Sequence, residues 1–373
     1  SRFTMKQTIQ PLDSVTINKI AAGEVVDRPV SIVKECVENA LDAGATKITV
    51  QIKDGGLQLI KITDNGHGFY KDDLPLAPIR HATSKISQLE DIYNTDTFGF
   101  RGEALASICH CAKLSITSKR DAEPAYHIHA YQDTLSPVEL ATHPEGSTIE
   151  IKDLFHDLPV RQKFLKSAGT ELSYVTDVMM QFALIHPEKD FVLISNDQEK
   201  LNSTGIKQQY HLLIHFYGKS LKDTLAEVDY QIGPIQLHGF ITDPTFTFSN
   251  RHKQVIAINQ RLIKNGLILK AIQDCYRDLI PARRFPLICL NITIDQSTID
   301  VNVHPQKQDI KFINPGFIYD VLPKAITIAL QSKTQHMQEV QPFVNRPASS
   351  TASSFPSTPR DLSSFQELYS KQD

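Results

Sequence analysis

From residue 31 to 45 the apolar positions recur at intervals of three and four. Val33, Cys36, Val37, Ala40 and Leu41 fall on one side of a helix, and Glu35, Glu38, Asn39 and Asp42 on the other. Pro29 suits the first helical position, and Gly44 suits the left-handed residue just past the end. Residues 47–52 then alternate as a half-buried strand, Asp54-Gly55-Gly56 reads as a hairpin-type turn, and 57–63 return as a second strand. Upstream, 5–30 form an arm and a first helix that Leu12-Asp13-Ser14 can cap, with Val15, Ile17, Ile20 and Ala21 as its apolar residues. Downstream, strands are predicted at 114–119, 126–131 and 146–151, and an apolar helix at 171–186. These elements make a mixed sheet under helices, an α+β fold. A boundary falls near 203–210. Beyond it, strands at 230–241, 254–258 and 287–294 and a helix at 267–279 predict a smaller α/β domain.

Composition narrows the class. The chain of 373 residues is long enough for two or three domains, with 41% hydrophobic and 22% charged residues. No apolar run reaches the ~18 residues of a membrane span, and no signal-peptide pattern opens the chain. Residues 1–4 precede Met5, the expected natural start. Five cysteines without a CxxC pair predict reduced, structural thiols and a cytosolic location. Cys109-His110-Cys111 has the wrong spacing for a zinc knuckle, and His127 and His129 are expected on the solvent face of a strand. From about Glu339, prolines among many serines predict a flexible linker over 336–373.

Net charge is −3, but it is unevenly spread. Residues 205–335 carry 15 Lys+Arg against 10 Asp+Glu, whereas the remainder carries 24 against 32. A polyanion-facing surface therefore belongs in the second half, at Arg261, Lys264, Arg283 and Arg284, joined by Arg161 and Lys163. A solvated basic face is the bland alternative.

The candidate chemistry lies in residues 31–68. Glu35 and Asn39 are one helical turn apart, a carboxylate and an amide able to handle water and Mg²⁺. The second predicted strand delivers Asp64-Asn65-Gly66-His67-Gly68, a carboxylate able to read an amino group beside glycines that let backbone approach a ligand. Alone, the first motif is a solvated helix face and the second a calcium loop or plain turn; in succession they form a two-part site. Residues 69–104 are poor in strands and carry Thr83-Ser84-Lys85 and Gly99-Phe100-Arg101-Gly102-Glu103, the description of a lid beside a phosphate site. The helix from Ala104 can present its N-terminus, with Leu105, to phosphates.

KECVENALDAG followed by DNGHG resembles the first two boxes of the ATP-binding superfamily of gyrases, heat-shock chaperones and histidine kinases. IAAGEVVDRP (20–29), RHATSK (80–85), GFRGEALASI (99–108) and DVNVHPQK (300–307) narrow the resemblance to the N-terminal part of the MutL family of DNA mismatch repair proteins, over roughly residues 5–333.

The resemblance implies a two-layer sandwich ATPase domain of the Bergerat type over 5–205, with its mixed sheet under helices on one face. A smaller ribosomal-S5-like transducer domain over 206–335 follows, and then a linker to a C-terminal dimerisation domain. It implies ATP and Mg²⁺ as cofactors and assigns roles residue by residue. Glu35 is the general base, Asn39 the Mg²⁺ ligand and Asp64 the adenine reader. Gly66 and Gly68 let the backbone approach the base, and Ser147 helps to hold Asp64. Thr83, Ser84, Lys85, Gly99, Phe100, Arg101, Gly102, Ala104 and Leu105 close over the phosphates. Lys307 reaches the γ-phosphate. Implied partners are DNA without sequence preference, a second copy through an ATP-dependent N-terminal dimer, a mismatch-recognition protein and a downstream nuclease or helicase, in a bacterial cytosol and with no membrane. Two departures stand out. Asp157, Leu158 and Val160 replace the family's usual residues within DLFHDLPVRQKFL, and Asn259-Gln260-Arg261 stands for Asn-Gly-Arg, so that the local turn should differ. The function implied is an ATP-hydrolysing, ATP-gated dimerising clamp that binds DNA and couples mismatch recognition to downstream repair; an ATP-gated matchmaker in which hydrolysis only resets the clamp is the alternative reading. A gyrase-type topoisomerase fits RHATSK and GFRGEAL less well.

Overall fold

The computed structural model of the chain describes residues 11–79, 104–294 and 315–339. Ser1–Lys333 is one compact unit; of the second, Thr334–Asp373, only the end of a helix is among the described residues.

The first sheet is nine-stranded and mixed, in the order β5-β4-β3-β7-β2-β1-β8-β9 with β6 on β4. Its central hairpin is β1 (Lys47–Lys53) and β2 (Leu59–Asp64). Alternation buries Ile48, Val50 and Ile52 from one strand and Ile60 and Ile62 from the other. β3 (Lys113–Lys119), β4 (Ala125–Tyr131), β5 (Thr134–Leu135), β6 (Glu139–Ala141) and β7 (Gly146–Lys152) extend the sheet on one side. β8 (Asp190–Ser195), parallel to β1, and β9 (Gln198–Asn202) extend it on the other.

Helices cover this sheet. α1 (Ser14–Val25) is capped by Asp13, which accepts from the Thr16 amide at 2.8 Å. It packs on α3 (Ala104–Cys111). α2 (Pro29–Asp42) lies on β1 and β2 and against α5 (Ala168–Ile185). The predicted hairpin turn is a 3₁₀ turn with Gly55 at φ +61° and Gly56 at φ +105°. It docks under the two helices: a Cβ on Gly56 would lie 2.6 Å from Pro29, and one on Gly55 2.7 Å from Ala168. Ile17 and Ile20, two of the apolar residues of α1, are 49% and 52% exposed.

The second sheet has the order β10-β11-β14-β12-β13. The single strand expected at 230–241 is a hairpin, β10 (Leu225–Ile232) and β11 (Ile235–Thr242), turning at Gly233-Pro234. β12 (Gln254–Ile258), β13 (Arg261–Ile263), α7 (Gly266–Cys275) and β14 (Ile288–Ile294) complete the layer, with β12 and β14 parallel. α8 (Pro315–Glu339) adds Leu322, Ala325, Ile326 and Ala329 to its core. Tyr276, fully buried, donates its hydroxyl to the Thr242 carbonyl at 2.7 Å.

The two sheets share hydrophobic contacts. The core under the first sheet runs on through α5 and α6 (Gln209–Tyr217) to Val255, Ala257, Leu262, Leu287 and Cys289 of the second. α4 (Pro159–Phe164) has none of its residues buried. All five cysteines are free thiols, four of them buried, and burial pushes Cys109 up to about 11 and Cys111 up to about 12. No cluster of metal-ligating side chains occurs among the described residues.

Candidate nucleotide site

The site begins at the end of α2. Gly44, at φ +75°, lets the helix close in a Schellman turn, with the Gly44 amide donating to Leu41 and the Ala45 amide to Ala40, both at 3.0 Å. Within the last turn the Ala43 amide donates to the Asn39 carbonyl at 3.0 Å, and the Ala43 carbonyl accepts from the His67 amide at 2.9 Å. The loop after β2 is therefore docked directly on the helix that carries Glu35 and Asn39. Both side chains are half-buried, one turn apart on one face.

Asp64, only 9% exposed, ends β2 opposite Ser147 on β7. One carboxylate oxygen accepts from the Gly66 amide at 2.8 Å. Burial raises its pKa, while the Gly66 amide and, further off, His143 and His67 oppose that rise. A carboxylate offers about four acceptor positions, so capacity for an amino group remains.

The glycines of this loop serve packing as much as ligand access. A Cβ on Gly68, at φ +71°, would lie 2.2 Å from the Lys119 carbonyl, and one on Gly66 2.8 Å from the Ala43 carbonyl. Asn65 is structural: its side-chain oxygen accepts from the Thr46 and Lys47 amides at 2.8 and 2.9 Å, fixing the start of β1.

Ser147 is buried, but its hydroxyl is paired with Ser118 at 2.8 Å. Ser118 also accepts from the Phe69 amide at 2.8 Å and donates to the Gly146 carbonyl at 3.0 Å. This buried serine, absent from the candidates the motifs supply, ties the loop to two strands. The sequence does carry a signal for it, since Leu114, Ile116 and Ser118 share the inward face of β3 and only the last is polar. Arg120 is a second residue that no motif marks; it donates to the Gly68 carbonyl at 3.3 Å and stacks over Tyr70 at 3.9 Å.

Of the remaining candidates, Ala104 and Leu105 open α3, with Leu105 buried. Thr83, Ser84, Lys85, Gly99, Phe100, Arg101, Gly102 and Lys307 lie outside the described residues, as does the linker from 340 on.

The basic set divides. Arg261, its side chain 12% exposed, pairs with Asp42 at 2.7 Å and lies 3.9 Å from Glu38. Arg284 donates to the Thr247 carbonyl at 2.6 Å and hydroxyl at 2.9 Å. These two half-buried guanidinium groups are engaged within the chain. Lys163, Lys264 and Arg283 are exposed and Arg161 is half-buried. Glu38, expected on the polar helix face, is 8% exposed, and burial holds its carboxyl up at about 7.

The turn at Asn259-Gln260 does not depart from the one that Asn-Gly favours. Both residues are left-handed, at φ +47° and +64°. Gln260 is held there by its amide, which donates to the Asn291 side chain at 2.9 Å.

Known proteins share this fold. Residues 28–153 match the family described as histidine kinase-, DNA gyrase B- and HSP90-like ATPase, and residues 213–331 the family described as DNA mismatch repair protein, C-terminal domain. The chain is 41% identical over 325 residues to the DNA mismatch repair protein MutL of Agathobacter rectalis, covering 86% of this chain and 50% of that protein. The chain belongs to the MutL family. The MutL of Macrococcus caseolyticus is 39% identical over 318 residues, again 85% of this chain and 50% of the relative; the chain thus spans about half the length of the curated relatives it matches. Among solved structures, the Aquifex aeolicus MutL ATPase domain complexed with ADP superposes with a TM-score of 0.54 at 26% identity, covering 73% of this chain and 93% of that one. The N-terminal domain of a DNA repair protein gives 0.68 at 24% identity, over 86% and 99%, a likeness of fold. This MutL-family chain carries an ATPase domain of the gyrase B- and HSP90-like type, and the region that matches it includes most strands of the first sheet.

Proposed function

We propose that the chain binds and hydrolyses ATP as the N-terminal part of a mismatch repair protein, and that nucleotide state controls its self-association and its hold on DNA. The observation that carries this reading is the docking of the Asp64–Gly68 loop on the α2 C-terminus, through the His67 amide and Ala43 carbonyl at 2.9 Å. It joins the two halves of the site.

Asp64 accepts from the adenine amino group, with Ser147 and Ser118 holding the strand ends around it. Glu35 orients the attacking water and takes its proton, a role worth about 10²–10⁴ in rate. The donor set suits Mg²⁺, since Glu35 and Asn39 offer only oxygen ligands on one helix face and Mg²⁺ favours oxygen. Asn39 would hold the ion, which when bound offsets charge on the phosphate oxygens. The segment with Thr83, Ser84, Lys85, Gly99, Phe100, Arg101 and Gly102, continuing into Ala104 and Leu105, closes over the phosphates, and Lys307 meets the γ-phosphate.

Two further features support the wider reading. Ile17 and Ile20 expose apolar surface on α1, at 49% and 52%, and Leu12 just before the helix is 57% exposed, a surface of the kind a second copy covers on ATP binding. Lys163, Lys264 and Arg283, with Arg161, supply cations for DNA phosphates without reading sequence. Coupling to a mismatch-recognition protein and a downstream nuclease or helicase follows from membership of the family. The domain limits 5–205 and 206–335 belong to the same proposal.

Glu35→Ala and Asn39→Ala test the site. Titration calorimetry with Mg-ATP should show binding kept in the first and weakened at least tenfold in the second, while steady-state hydrolysis is lost in both. Equal weakening of binding by the two changes would overturn the assignment.

A further inference from the structure

Arg261 lies far from Glu35 and Asn39 in sequence, yet its guanidinium reaches the same helix. Asp42, the last residue of α2, accepts from Nη2 at 2.7 Å, and Glu38 Oε2 lies 3.9 Å from Nη1. Seven residues are two helical turns less about 20°, so Asp42 lies almost directly above Glu35 on the helix surface, with Asn39 beside both.

The arm that holds Arg261 is stiff. The Asn259 amide donates to the Ile292 carbonyl at 2.8 Å, its side-chain oxygen accepts from the Ile294 amide at 2.8 Å, and Gln260 bonds Asn291. The β12–β13 turn is thereby locked to the end of β14. On the α2 side the turn borders a gap. A cavity of about 180 Å³ lies between α2, the end of α5 and the turn, with Glu38, Asp42, Phe182, His186 and Arg261 in its wall. Glu38 Oε1 and His186 Nε2 are buried there without hydrogen-bond partners among the described residues. Packing through α5 joins the second sheet to the first core, and at this wall the ion pair adds a direct polar link from the second sheet to the C-terminal half of α2.

We propose that Arg261 is a positioning residue for the ATPase site: through Asp42 it lets the second sheet fix the C-terminal half of α2, and so the placing of Glu35 and Asn39. The inference rests on the ATPase reading above. A shift of about 1 Å in a reacting group costs on the order of 10²-fold in rate, so partial release of one helix end should cost about tenfold. Substrate affinity should hardly change, because a slightly displaced Asn39 still offers its oxygen to the ion, whereas Asn39→Ala removes it, and rate is the more sensitive to placing.

The test is a double-mutant cycle on the whole chain. Arg261→Gln and Asp42→Asn should each lower kcat about tenfold with KM for ATP unchanged within twofold, and the double variant should lose no more than the worse single one. The swapped pair, Arg261→Asp with Asp42→Arg, should recover activity at least threefold over the single charge-reversed variants. Hydrogen exchange supplies a readout independent of turnover: amides of residues 38–43 should exchange at least tenfold faster in Arg261→Gln, and those of β3 and β7 should not. Unchanged kcat, losses that multiply in the double variant, or unchanged exchange in α2 would overturn the proposal. If the unmodified chain fails to hydrolyse ATP, the ATPase reading falls, while exchange still decides whether Arg261 holds α2. If Arg261→Gln does not fold, Arg261→Lys takes its place: it keeps the charge but not the fork. A folded Arg261→Lys with unmodified kcat and exchange would equally overturn it.

Discussion

Replacing Glu38 by Gln gives a stability change that depends on pH in a defined way. The folded chain holds this carboxyl at about 7 against an ordinary 4.5, mainly because it is buried; Lys34 and Arg261 oppose the shift, and Glu35 and Asp42 add to it. His186 and Lys189 face the same cavity. Since the folded value is the higher, the stabilising contribution is full below pH 4.5, falls as pH rises and is lost above about 7. At about 1.4 kcal/mol per pH unit, the window amounts to roughly 3 kcal/mol. Gln has no such titration. The stability of Glu38→Gln minus that of the unmodified chain should therefore rise by roughly 3 kcal/mol between pH 4.5 and 8. Urea unfolding without nucleotide measures it, followed by circular dichroism because the chain has no tryptophan. The 14 histidines titrate in the same range, but they are common to both proteins and cancel in the difference. A difference that stays flat across the range would refute the reasoning and show Glu38 to be hydrated in the folded chain.

Three further outcomes are expected. Gly68→Ala, with its Cβ 2.2 Å from the Lys119 carbonyl and φ at +71°, should cost about 2–4 kcal/mol in urea unfolding and weaken ADP binding; a neutral result would mean that the loop is not docked as described. Charge reversal of Lys163, Lys264 and Arg283 together should weaken DNA binding and lower the slope of log affinity against log salt by about 0.9 for each phosphate that is no longer neutralised. Retention of the full slope would remove these residues from the interface. Ile17→Glu with Ile20→Glu should abolish dimer formation with a non-hydrolysable ATP analogue in sedimentation, while the second sheet stays folded; a persisting dimer would place the dimer interface elsewhere.

The sequence is most legible where structure is local. α2 can be read because a 3.6-residue period, Pro29 and Gly44 all agree, and β1–β2 because inward positions alternate with polar ones. The glycine pair after Asp64 marks a close approach, though its partners are the chain's own Lys119 and Ala43 carbonyls. What escapes is tertiary. The burial of Glu38 depends on Arg261, which arrives from the other sheet, and periodicity carries no trace of such a pairing. Ile17 and Ile20 have an apolar spacing that suits a core, and only the fold shows them on the surface. Gln260 holds a left-handed turn because the Asn291 side chain, on a neighbouring strand, accepts from its amide, which no local preference reveals. The β10–β11 hairpin is the exception: Gly233-Pro234 is a turn signal in plain view within the span expected as one strand.

The continuous core through α5 has a consequence for dissecting the molecule. Val175, Met179 and Phe182 belong to the same hydrophobic cluster as Leu262 and Cys289. Cutting the chain near residue 205 would bare one side of that cluster on each fragment, so neither half is expected to behave as a free-standing module. A chimera that exchanges the second sheet with that of a relative must bring a matching α5 surface with it, or the graft will leave voids along the seam. Insertions are better placed at Gly233-Pro234, where the turn is exposed and no helix spans the junction.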